Sequence, residues 1–162
     1  TDRFTYWVER MARGGDVLGP PDPKSELQWV DVRDLCPWIV SLAERDVTGI
    51  FTVAGPVAPV SWEQTLATLA ARPERPVKMH WSTLELLKEL EIELPLVLPG
   101  RPSRHFANAA SQAAGLNYRP LADTATATLE WWRAQPETRR AQPDGWPPRD
   151  KELEAIARLR SG

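Results

Sequence analysis

Apolar residues near the start of the chain recur at helical spacing. Phe4, Trp7, Val8 and Met11 stand at i, i+3, i+4 and i+7, the spacing of one helical face, so Asp2 to Arg13 is predicted to be a helix. Thr1 or Asp2 can cap its start, and Gly14-Gly15 ends it. Prolines make Gly19 to Lys24 (GPPDPK) a loop, because each fixes φ and removes a donor. Leu27 to Val32 then reads as a short strand, followed by a helix to about Arg45 with Leu35, Ile39, Leu42 and Ala43 on its inner face. Asp31 and Asp34 stand where carboxylates accept from the unpaired amides of a first turn, and Pro37 is tolerated near that end.

Gly49 to Gly55 (GIFTVAG) is the strongest strand pattern in the chain. It is β-branched, apolar and bounded by glycines, as expected of a parallel-sheet strand buried on both faces. Ser61 to Ala71 is a predicted helix, Ser61 and Gln64 forming a capping box. Val77 to Trp81 reads as a strand, Thr83 to Leu90 as a helix capped by Thr83, and Pro95 to Ser103 as a connector. Asn108 to Ala114 is a short helix ended by Gly115, and Ala122 to Arg133 a longer one with Ala125, Leu129 and Trp132 inward. Beyond Pro136 the chain turns polar and proline-rich before a last amphipathic helix, Lys151 to Arg160. This tail is expected to wrap the domain or to contact something absent.

Composition narrows the function classes. With 162 residues and 42% hydrophobic content, the chain can bury one real core. Net charge is −2 with acids and bases interspersed, which disfavours nucleic acid as a partner. The lone cysteine, Cys36, excludes an internal disulfide and a multi-cysteine metal site. It also fits a reducing compartment, so cytoplasm is the expected location. No apolar run approaches the ~20 residues of a membrane span, so the chain is expected to be soluble, with no membrane partner.

Four ordered blocks carry a family resemblance: Thr1 to Gly15 (TDRFTYWVERMARGG), Gln28 to Glu44 (QWVDVRDLCPWIVSLAE), Gly49 to Pro56 (GIFTVAGP) and Asn108 to Trp132 (NAASQAAGLNYRPLADTATATLEWW). From residue 1 to about 135 the chain resembles the C-terminal half of extended short-chain dehydrogenase/reductases, the NAD-dependent epimerase/dehydratase family. The fold so implied is α/β: the C-terminal part of a Rossmann-type NAD(P)-binding fold with a small mixed α/β substrate-binding subdomain. Residues 136–162 form the tail.

The chemistry of such a family needs a glycine-rich turn that lets backbone approach a pyrophosphate, and no G-x-x-G-x-x-G occurs here. It also needs a lysine four residues after a tyrosine, lowering the tyrosine pKa for proton exchange. Arg10 follows Tyr6 at that spacing and Ala122 follows Tyr118. His80 and His105 have no metal-motif partners, and no serine sits in a nucleophile elbow.

The resemblance therefore implies a substrate-binding portion whose NAD or NADP, and whose catalytic residues, belong to a nucleotide-binding half upstream of Thr1. No cofactor and no activity are expected of this chain alone. By the same resemblance Arg3 and Phe4 touch the substrate, Val17 and Leu18 form the extended segment beside a nucleobase, Trp29 is the substrate-binding aromatic of its strand, and Arg101-Pro102 opens a phosphate-contacting loop. Arginine suits that last task because its fork binds phosphate at two points. Two departures from the nucleotide-sugar pattern, Leu27 two residues before Trp29 and Ser103-Arg104 after Arg101-Pro102, leave a sugar-like substrate and a smaller or more apolar carbonyl compound both open. A non-catalytic binding or interaction module derived from the family is the alternative. Without the missing half, Phe4, Trp7 or Trp29 should face a cleft, and an exposed apolar patch should favour self-association.

Overall fold

One apolar face draws the first helix into the middle of the molecule. In α1 (Arg3–Arg13), Tyr6, Trp7, Val8 and Met11 are all buried. The computed structural model describes residues 2–71, 73–98 and 105–161. After α1 come β1 (Gly15–Gly19), β2 (Glu26–Trp29), α2 (Val32–Glu44), β3 (Gly55–Ser61), α3 (Trp62–Leu69), β4 (Val77–Trp81) and α4 (Leu84–Glu89). Four helices follow: α5 (Ala109–Ala113), α6 (Leu121–Arg133), α7 (Glu137–Arg140) and α8 (Arg149–Ser161). The architecture is mixed α/β, with two two-stranded sheets. β1 pairs parallel with β4, Gly15 opposite Val77 and Gly19 opposite Trp81, while β2 runs antiparallel to β3 with an irregularity between Leu27 and Trp29.

Gly14 makes the turn from α1 into β1. Its φ is 64°, and a Cβ there would lie 1.9 Å from the carbonyl oxygen of Arg75, so the sharp reversal needs glycine. Downstream, Ser61 and Gln64 complete the expected capping box, and the Thr83 hydroxyl accepts from the Leu86 amide at 3.1 Å. Asp31 caps α2 through the Arg33 amide at 2.8 Å.

Several expectations are corrected. Gly49 to Ala54 is not a strand; pairing begins only at Gly55 and runs on through Ser61. A strand is held by a neighbour's ladder of hydrogen bonds, and no described strand lies against residues 49–54. Ile50 is 100% exposed, although Phe51 meets the Trp38 ring edge-on at a centroid distance of 5.5 Å. The predicted inner face of α2 is only partly covered: Leu35 and Leu42 are half-buried, but Ile39 is 51% exposed and Ala43 is exposed, and the buried residue of the helix is Trp38, with Val40 also 56% exposed. Asp2 makes no side-chain cap. Asp34 accepts from the Arg119 amide and guanidinium at 2.9 and 2.8 Å instead of capping α2. The Pro95 to Ser103 connector lies partly outside the described residues.

The tail wraps the domain. Asp2 receives Arg139 at 2.7 Å and the Asp144 amide at 2.8 Å, and its carbonyl accepts from the Trp146 indole at 3.0 Å. Trp146 packs on Tyr6 and Trp132, with ring centroids 5.5 and 5.3 Å away. From α8, Ala155 and Ile156 join the core that holds Tyr6, Trp7, Val17 and Leu18. Glu152, also buried, accepts from the Tyr6 hydroxyl and from Arg149 at 2.7 Å.

Candidate functional site

Three elements converge on one apolar cleft. The helical spacing of α1 brings Phe4 and Trp7 to one wall; β2 supplies Leu27, Gln28 and Trp29. The third wall is α3, through Trp62, Thr65 and Leu69, with Leu96 at the rim. Trp62, Thr65 and Leu69 share one helical face, so the period that buries α3 against α1 also turns these side chains to the cleft. Trp7 and Trp62 touch with centroids 4.9 Å apart.

The cleft is held by specific bonds. The Trp7 indole donates to the Pro95 carbonyl at 2.7 Å, which fixes the 94–97 turn above it. Within that turn Val97 donates to Leu94 at 3.2 Å, and Leu96 adopts φ 64°, a left-handed conformation that a branched side chain occupies only when its surroundings impose it. Gln28 uses both ends of its amide: Nε2 donates to the Phe106 carbonyl at 3.0 Å and Oε1 accepts from the Phe106 amide at 2.6 Å. Its polarity is thereby consumed. Thr65 differs, because it is buried and its Oγ1 has no hydrogen-bond partner. None of the lining residues is charged.

The residues singled out by resemblance are dispersed. Phe4 and Trp29, both half-buried, meet in the cleft. Arg3 is exposed and is not among the lining residues. Val17 and Leu18 are 0% exposed core residues of β1, so their side chains meet other core residues and no solvent-borne ligand. Arg101 lies outside the described residues. Trp7, expected as one of the rings facing a cleft, does line it but is buried. Sequence reasoning missed Trp62, Thr65 and Leu96; the capping box placed α3 without showing which side of it would meet α1.

Other candidate chemistry resolves into structure. The Tyr6 hydroxyl is pushed well above the usual tyrosine pKa by burial and by the adjacent Glu152 carboxylate, opposite to what proton exchange requires. His80 bonds Asp16 Oδ1 at 2.6 Å across the β1–β4 pair, and His105 lies 3.9 Å from Glu26. Asp31 holds Arg33 and the Thr124 hydroxyl, tying the start of α2 to α6. Among the described residues no cluster of three or more His, Cys, Asp or Glu is placed for a metal, and no helix is long and apolar enough to cross a membrane.

Where the parallel strands end, Gly19 gives its open side to the Trp81 ring, which a Cβ would meet at 2.6 Å, and the residue after it is a proline without an amide donor. Thr83 closes the start of the short α4 with its own hydroxyl. No phosphate cradle is formed at either place. Comparison with family models, with curated proteins and with solved structures gave no match.

Proposed function

We propose that this chain is the substrate-binding C-terminal portion of an NAD(P)-dependent epimerase, dehydratase or reductase, acting on a sugar-like or other small carbonyl or hydroxyl compound. The cofactor and the catalytic groups would come from a Rossmann-type nucleotide-binding half. One observation carries this reading: the apolar segment 49–54, with the pattern of a buried parallel strand, lies unpaired beside a helix whose Ile39 and Val40 face solvent. That is how the last strand and helix of an α/β sheet look without the neighbouring strands. The aromatic cleft supports a substrate role, since concave apolar surfaces with few polar groups are the usual form of small-molecule sites.

The test is the reading frame on the N-terminal side of Thr1, together with the intact mass of the protein. A glycine-rich fingerprint and a Tyr-x-x-x-Lys there would establish the parent enzyme. A frame with neither would leave a non-catalytic binding module and sink the reading. Calorimetry on this chain alone should detect negligible NAD(H) or NADP(H) binding.

A further inference from the structure

Three helices that pack against one another leave a space between them. α1, α3 and α6 are in mutual contact, yet the groove at their junction has a volume of about 410 Å³, inside the roughly 300–1,000 Å³ of small-molecule sites. Protein interiors are otherwise filled to the density of an organic crystal, so a gap of this size needs a cause. The cause is side-chain length. α1 contributes Ala12, the turn after α3 contributes Ala71, and α6 contributes Ala122 and Ala125, whose single methyl groups cannot span the space. Ala71, Ala122 and Thr126 are exposed, so a ligand can enter from solvent.

The lining decides what fits. It carries no charge and no aromatic ring. Its two hydroxyl groups have already committed their protons: Thr68 donates to the Gln64 carbonyl and Thr126 to the Ala122 carbonyl, each at 2.9 Å. An anionic group would therefore give up its hydration without meeting a side-chain donor. Arg133, one turn beyond Leu129 on the same face of α6, is engaged by Glu74 at 2.6 Å and lies 3.5 Å from Glu9. Its charge is already matched within the chain. An aliphatic chain suffers no such loss, because it exchanges water for methyl groups.

We infer that this groove is a binding site for the aliphatic chain of an uncharged molecule, with a medium-chain alcohol as its simplest representative. Leu69 lines both this groove and the aromatic cleft, but the remaining walls differ, small and aliphatic here and ring-bearing there. The inference goes beyond the proposed parentage and does not depend on it.

The experiment is a titration of the chain, labelled with carbon-13 at its alanine methyl groups, with n-octanol and with octanoate at neutral pH. Octanol should shift the methyl peaks of Ala12, Ala71, Ala122 and Ala125 saturably and leave those of Ala43 and Ala157 in place. Octanoate should bind roughly tenfold more weakly or less, because its carboxylate finds no donor in the walls. Ala122→Leu sets a larger side chain into the groove from an exposed helical position, so the chain should fold and the saturable octanol shifts should disappear. Ala71→Leu makes the same obstruction from the α3 side and serves if the first variant does not fold. Four unmoved methyl peaks, octanoate bound as tightly as octanol, or full octanol affinity in a folded leucine variant would each overturn the inference. The reading frame before Thr1 has no bearing on this titration, so either result can fail while the other stands.

Discussion

The two flanks of this molecule treat similar apolar material differently. On the tail side, Trp146 and α8 close over α1; the buried Glu152 carboxylate accepts from the Tyr6 hydroxyl and from the exposed Arg149, and the buried Arg10 guanidinium lies 3.9 Å from it. On the other side, α2 and residues 49–54 carry Ile39, Val40 and Ile50 into solvent. Regularity of the apolar pattern does not decide the outcome, since α2 is the more strongly amphipathic of the two helices. What separates the two flanks is whether a complementary surface exists among the described residues: α8 finds α1 and β1, while segment 49–54 finds no described strand to exchange hydrogen bonds with. Apolar pattern specifies readiness for burial, and burial itself needs a partner.

The sharpest way to test the closed flank is to break its buried pair. Glu152→Ala removes the acceptor of the Tyr6 hydroxyl and the counter-charge of Arg10 and Arg149, and should cost about 3–5 kcal/mol in denaturant unfolding, as expected when a buried ionic group loses its partner. A cost under about 1 kcal/mol would mean that solvent reaches the network. Trp146→Ala should cost somewhat less, about 2–3 kcal/mol, because the ring is half-buried though it joins Tyr6, Trp132 and the Asp2 carbonyl. Thermal melts of the two variants should preserve that order.

The same contrast explains which parts of the fold could be read in advance. Helices α1, α3, α4 and α6, and strand β4, follow from short-range signals: a 3.6-residue period, a Ser61 or Thr83 cap, and for β4 a short run, Val77 to Trp81, between Pro76 and Ser82. Segment 49–54 misleads because its signal concerns a neighbour that the pattern cannot supply. β1 escapes the pattern because Gly15 to Gly19 is too rich in glycine to show alternation, and its pairing with β4 is set by residues about sixty positions away. Within the site, Phe4 and Trp29 were reachable through resemblance. Thr65 was not: its significance lies in a hydrogen bond that is missing, and no sequence pattern marks one.

Acid should probe the link between the flanks. Hydrogen bonds from the Arg33 side chain and amide and from Thr124 hold the Asp31 carboxyl well below its ordinary value, and Arg119 does the same for Asp34. In Asp2, burial pushes the pKa up, but the Arg139 and Asp144 hydrogen bonds outweigh it and the net direction is down. Groups depressed in the folded state contribute stability that is complete above the unfolded value of 3.8 and is lost as pH falls below it through the folded values. Unfolding free energy should therefore drop on the acid side of about pH 4. Asp31→Asn should lower the neutral plateau by about 1 kcal/mol and flatten the acid limb. An unchanged acid limb in that variant would show that Asp31 is not a source of the pH dependence.

The smallest effect on stability is expected on the open flank. Ile39→Glu replaces an apolar side chain that is 51% exposed on α2 with a good helix former, so the isolated chain should change by no more than about 0.5 kcal/mol. Its effect should appear in association instead. The wild-type chain should self-associate with rising concentration in sedimentation velocity, because Ile39, Val40 and Ile50 leave apolar surface uncovered. The variant should remain monomeric to higher concentration. In a parent that carries the proposed nucleotide-binding half, the same glutamate would be buried without a partner and should cost roughly 2 kcal/mol or more. A substitution that is silent in the chain and damaging in the parent would identify this face as the one the sheet covers. If Ile39→Glu destabilised the isolated chain as strongly as Trp146→Ala, α2 would already be packed in solution, and the contrast between the flanks would fail.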